Sequence, residues 1–168
     1  MMLGVIRETY LDLWIPCIPP KATGQSGLHS FTNPKTGKPT ISRPDKSTQN
    51  NLISLLKDNR LNKPCEGPVS LAVTFRWPWR KSEPKWLTAH FDEAPYPHKP
   101  DCDNIVKMLQ DSMKLLRFFL DDAQVTDLRV IKRIGQDAGL RIVMMDDPPP
   151  KKESIHVLLG RAGQSPAR

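Results

Sequence analysis

The chain has no run of apolar residues near the length of a membrane span, about 20 residues for a helix. It has no CxxC pair. Its three cysteines, Cys17, Cys65 and Cys102, are an odd number and scattered, which argues against a disulfide framework and for reduced, intracellular thiols. The opening Met1-Met2-Leu3-Gly4-Val5-Ile6 meets Arg7 and Glu8 too soon for a signal peptide. Internal repeats are absent, which excludes a solenoid. With 38% hydrophobic and 26% charged residues the composition is not that of a disordered chain. These absences leave a cytoplasmic chain of 168 residues, long enough for one domain with a real core.

What the chain does have is positive charge. The net charge is +7 and the pI about 9.5. A polyanion, most simply nucleic acid, suits such a balance, and so does a merely solvated basic surface.

Leu11 to Ile18 is apolar and stopped by Pro19-Pro20, which predicts a strand. Residues 21–38 are rich in Gly, Ser, Thr, Asn and Lys and predict a long loop, with a hairpin around Asn33-Pro34-Lys35-Thr36-Gly37 and a short strand over 40–43. Such a loop suits either DNA contact or disorder. A helix is expected from Pro44-Asp45-Lys46-Ser47 to about Asn62, with Leu52, Leu55 and Leu56 inward. Val69, Leu71, Val73 and Phe75 alternate within 68–77, the mark of a half-buried strand. Residues 79–97 show no period. Their aromatics, interleaved with basic residues, either stack on unpaired bases or cap the core. Strands are expected over 125–134 and 140–144, joined as a hairpin through Asp137-Ala138-Gly139.

The chemistry gathers in His98-Lys99-Pro100-Asp101-Cys102-Asp103-Asn104-Ile105-Val106-Lys107, answered by Asp121-Asp122-Ala123-Gln124-Val125. Asp101 suits a helix N-cap. Ile105, Leu109, Ser112 or Met113, and Leu116 then recur at core spacing, with Asp103, Lys107, Gln110 and Lys114 on the other side. Hard cations such as Mg²⁺ take oxygen ligands, commonly one or two carboxylates plus substrate phosphate. Asp101, Asp103 and one of Asp121 and Asp122 are candidate ligands, and clustered carboxylates repel one another unless a cation joins them. Lys107 is the candidate for neutralising phosphoryl charge or orienting water. Taken singly, an Asp at a helix start is usually a cap, and Asp103 with Lys107 a solvated pair. Only the combination on a basic chain points to metal-assisted phosphodiester hydrolysis.

Lys99-Pro100-Asp101-Cys102-Asp103-Asn104, Lys107, Asp111, Asp121-Asp122-Ala123-Gln124-Val125 and Lys132 resemble the RusA-type Holliday junction resolvases of bacteria and their phages. Ile18-Pro19-Pro20-Lys21, the region around Pro44 and the stretch Gly67-Pro68-Val69 to Phe75 follow in the same order, so the resemblance covers roughly residues 11–145. It implies a homodimeric endonuclease that uses Mg²⁺, with Mn²⁺ as a substitute, to nick four-way or branched DNA symmetrically. It implies Asp101, Asp103 and Asp122 as metal ligands and Lys107 as the active-site lysine. Cys102 stands where an aliphatic residue is common, and 114–120 lacks the glycine that often ends the motif helix.

The expected fold is α/β, of an α+β-like kind: one small domain, a mixed sheet packed against two main helices, homodimeric. Residues 1–146 form the endonuclease domain and 147–168 a flexible tail. The expected function is a Mg²⁺-dependent, structure-selective endodeoxyribonuclease that resolves Holliday junctions in recombination and repair. The alternatives are a junction-binding protein without catalysis, or an unrelated basic protein with a structural metal.

Overall fold

Five residues of alternating sequence organise the domain. In the computed structural model, which describes residues 7–21, 29–32, 37, 39–42 and 47–149, Val69, Leu71, Val73, Phe75 and Trp77 are buried along one side of a central strand, β4 (Val69–Pro78). Alternation sends every second side chain to the same face, and that face is roofed by two helices. These are α1 (Ser47–Leu56), which buries Leu52 and Leu56, and α3 (Cys102–Leu115), which buries Ile105, Val106, Met108, Leu109, Ser112 and Met113. The expected small α+β domain with a mixed sheet is what the chain forms.

The sheet has five strands. β1 (Thr9–Pro16) is followed at the other edge by β5 (Glu93–Pro95), and β6 (Val125–Gly135) and β7 (Gly139–Asp146) lie within, in the order β1-β7-β4-β6-β5. β4 pairs parallel with β6 and antiparallel with β7. A separate hairpin pairs β2 (His29–Thr32) with β3 (Pro39–Ser42), as the turn signals around Gly37 predict. Gly37 lies at φ 63°, a conformation glycine adopts without steric cost.

Two expectations are corrected. β6 and β7 follow each other through a short turn but are not a hairpin, because β4 lies between them. Residues 136–138 cross the end of β4, where Pro78 stands opposite Gly135 and Arg76 opposite Gly139. The crossing is tight. A Cβ on Gly135 would lie 2.6 Å from the Asp92 carbonyl, and one on Gly139 would lie 2.3 Å from the Trp14 ring. Residues 79–97 are not irregular throughout, since a short helix, α2 (Lys85–His90), precedes β5. Nor do the tryptophans behave alike. Trp77 is buried, stacks on Tyr96 at 4.6 Å and donates to the Pro19 carbonyl at 3.0 Å. Trp86 and Phe91 are exposed, edge to face at 6.3 Å.

The end of α3 is closed without glycine. Leu116 is the cap, Arg117 takes the left-handed conformation at φ 61°, the Phe118 N–H donates to Met113 O, and the Arg117 N–H to Lys114 O. This pair of bonds is the Schellman arrangement. A non-glycine residue there costs about 1 kcal/mol, and the burial of Phe118 and Phe119 immediately beyond offsets it. The tail expected over 147–168 falls largely outside the described residues, but Asp147 is held, accepting from Thr126 Oγ1 at 2.7 Å and from Arg7 at 2.9 Å. No helix among the described residues is long and apolar enough to cross a membrane.

Candidate active site

The start of α3 is fixed from β6. Lys132 faces the helical layer and extends its ammonium to the carbonyls of His98 and Pro100, the latter at 2.6 Å, and lies 5.7 Å from the centre of the Tyr96 ring. A cation on two carbonyls sets the path of the chain just before Asp101. Asp101 then occupies the N-cap with extended backbone (φ −70°, ψ 152°), and its carbonyl accepts from the Ile105 N–H at 3.1 Å. Its carboxylate makes no capping hydrogen bond. This departs from the usual role of an N-cap aspartate, which spends its side chain on the first free N–H groups, and it leaves the group uncommitted among the described residues at the positive end of the helix.

Asp103 lies in the first turn and Lys107 one turn further, both exposed. Their i, i+4 spacing sets them on one face, and among the described residues no ion pair joins them. So Asp101, Asp103 and Lys107 stand together at one end of α3, as the spacing predicts.

Asp122 stands elsewhere. It opens a single 3₁₀ turn over 122–124 beyond the far end of α3, where Lys114 lies 3.3 Å from both Asp121 and Asp122. Lys114 is eleven residues along from Asp103, about 16 Å of helix at 1.5 Å per residue. Accordingly, no three His, Cys, Asp or Glu side chains form a metal-holding group among the described residues. The donor chemistry still suits a hard cation: Asp101 and Asp103 are exposed carboxylates two residues apart, neither with an ion-pair partner among the described residues, and Mg²⁺ is commonly held by two carboxylates with substrate phosphate.

Asp121 and Asp122 divide their roles. The Ala123 N–H donates to Asp121 at 3.1 Å, and this bond, then Asp122 and Lys114, pulls the Asp121 carboxyl down to about 2. The Lys114 ammonium is pushed up by Asp121 and then Asp122. Asp121 is therefore the capping residue of the turn, which leaves Asp122 the freer of the two.

The sequence marks Gln124 as part of the motif but gives its side chain no role. Its Oε1 accepts from the Leu120 N–H at 2.7 Å and the Asp121 N–H at 2.9 Å, while its Nε2 donates to Cys65 O at 3.0 Å and Gly67 O at 2.9 Å. One amide thus ties the acidic turn to the segment before β4. Glutamine three residues after an N-cap aspartate is a capping-box spacing and carried the signal.

A basic domain with a mixed sheet, its helix-start carboxylates exposed beside a lysine, is the class defined by this geometry. The chain belongs to the endodeoxyribonuclease RusA family, whose model matches residues 18–145. It is also similar to a crossover junction endodeoxyribonuclease rusA of Lactococcus phage r1t, 34% identical over 89 residues, which are 49% of this chain and 61% of the phage protein. The match therefore spans less than two thirds of that relative.

Proposed function

We propose that the chain is an endodeoxyribonuclease that nicks four-way DNA junctions with the help of Mg²⁺. The observation that carries this reading is the uncommitted Asp101 carboxylate beside Asp103 at the start of α3, in a chain of the RusA family. Asp101 and Asp103 would hold the ion, with Asp122 as a third ligand. The ion would supply neutralisation of charge on the phosphodiester under attack. Lys107, a turn along the same face, contributes a second positive charge toward the phosphoryl oxygens. Lys132 contributes order rather than chemistry, since its carbonyl contacts hold the segment that carries Asp101. The net charge of +7 supports attraction to the DNA backbone.

Because Asp122 and the Asp101–Asp103 pair lie at opposite ends of α3 in one chain, we propose further that a second copy completes the site. A dimer also suits the substrate, since a four-way junction has near two-fold symmetry and needs two opposed nicks. The test is cleavage of a synthetic four-way junction in Mg²⁺, with and without EDTA. Paired nicks abolished by EDTA are expected. Tight binding with no nick in any divalent cation would leave a junction-binding protein without catalysis.

A further inference from the structure

We infer that the cleft between the 3₁₀ turn 57–59 and the cap of α3 holds a backbone phosphate of DNA, at a point separate from the Asp101–Asp103 end of the helix. The inference rests on the DNA-directed reading above and adds a place of contact to it. The cleft is open, about 480 Å³, and lined by Lys57, Arg60 and Arg117 against a single carboxylate, Asp58. None of the three cations forms an ion pair among the described residues. The larger cleft on the open face of the sheet is different, because its arginines are already matched: Arg76 and Arg133 by Glu93, Arg141 by Asp12. Uncompensated charge therefore collects in the smaller cleft. There the Arg60 Nε donates to Lys57 O at 3.1 Å, which anchors the guanidinium stem and leaves its terminal nitrogens for an anion.

Arg117 adds an independent observation. It occupies the left-handed position of the α3 cap, where glycine would sit without strain. A strained backbone held with a charged side chain is a recurrent sign of a functional position, and here that side chain lines the cleft.

Arg117→Gly separates the two roles, because glycine suits the cap and only the charge is lost. Its melting temperature is expected to equal or exceed that of the wild type. Its affinity for a four-way junction in Mg²⁺-free buffer is expected to fall about tenfold, with the slope of log K against log salt reduced by about one. Lys57→Ala and Arg60→Ala should do the same to affinity and slope. Unchanged affinity and slope in Arg117→Gly would overturn the inference while leaving the nuclease reading intact. A wild-type chain with no affinity for DNA would overturn both. Titration of inorganic phosphate provides the remaining arm: no saturable uptake is expected, and uptake that vanishes in Arg117→Gly would assign the cleft to the free ion instead of DNA.

Discussion

Asp121 and Gln124 close on each other across one 3₁₀ turn. The Asp121 carboxylate accepts from the Ala123 N–H, and the Gln124 side-chain Oε1 accepts from the Asp121 N–H. The turn carries Asp122, so the capping pair fixes where that carboxylate starts. The motif Asp-Asp-X-Gln-Val thus contains two residues that build the turn and one, Asp122, that the turn presents.

Gln124→Ala should consequently destabilise the fold and disturb the site together. Four hydrogen bonds are lost, leaving the Cys65 and Gly67 carbonyls without their amide partner. A loss of about 2 kcal/mol follows at roughly 1 kcal/mol per bond, discounted for partial exposure. The melting temperature should fall roughly 4–8 °C. A melt identical to the wild type would show that the amide network contributes nothing.

Acid should loosen the same turn. The Asp121 carboxyl sits at about 2 in the fold against its ordinary 3.8. A lowered value means that its contribution is present above pH 3.8 and is lost as pH falls from there toward 2. Lys114 has the opposite sign. Its ammonium is raised above 10.5, so its contribution is complete below that pH and is lost as pH rises through the raised value. Asp121→Asn should flatten both edges of the pH–stability curve relative to the wild type, and a carboxyl chemical-shift titration should find the Asp121 midpoint below 3.8. A midpoint at or above 3.8 would contradict the capping bond. Since Asp121 acts as a cap, this variant should slow cleavage less than Asp122→Asn.

The sequence made one half of this site legible and not the other. Asp101, Asp103 and Lys107 are separated by two and four residues, a distance over which helical geometry alone determines position. The alternation in β4 was legible for the same local reason. Asp122 depends on 115–121, where the direction of the chain turns on a left-handed arginine that no periodicity signals. The β6–β7 hairpin misled because a three-residue turn between two strands ordinarily pairs them, and nothing local reports that β4, about fifty residues earlier, comes between. The apolar residues of β1 and of the stretch from the end of α3 onward divide in a way that no local pattern shows. Ile15, Phe118 and Phe119 are in the core, whereas Trp14, Leu115 and Leu120 are exposed.

Asp101→Asn and Asp103→Asn should each abolish cleavage while junction binding survives or improves, since a negative charge facing DNA is removed and affinity comes mainly from basic contacts to phosphates. Normal cleavage by either variant would remove that residue from the site. Lys107→Ala should reduce the rate at saturating enzyme far more than the affinity, because the role proposed for its charge is in the transition state. Lys107→Arg should not restore it fully, a planar fork being a poor replacement for a compact ammonium. A pure affinity loss would make Lys107 a phosphate anchor. Lys132→Met should lower cleavage through misplacement of Asp101. That role predicts unaltered junction affinity with slower single-turnover nicking, whereas an equal fall in both would mark a DNA contact.

The separation of Asp122 from Asp101 and Asp103 makes a sharper prediction about assembly. If one chain supplied the whole site, mixing Asp101→Asn chains with Asp122→Asn chains would give dimers whose two sites are both defective, and no cleavage. If each site takes Asp101 and Asp103 from one chain and Asp122 from the other, a mixed dimer holds one doubly defective site and one intact site. Two inactive preparations should then recover activity on mixing, as single nicks without paired resolution. Sedimentation should find a dimer near twice 19.1 kDa. Exchange of subunits confirmed by mass, together with no recovered nicking, would return the site to a single chain and require α3 and the 122–124 turn to move together on binding DNA. A monomer both free and on the junction would leave the proposed paired cleavage without a second active site.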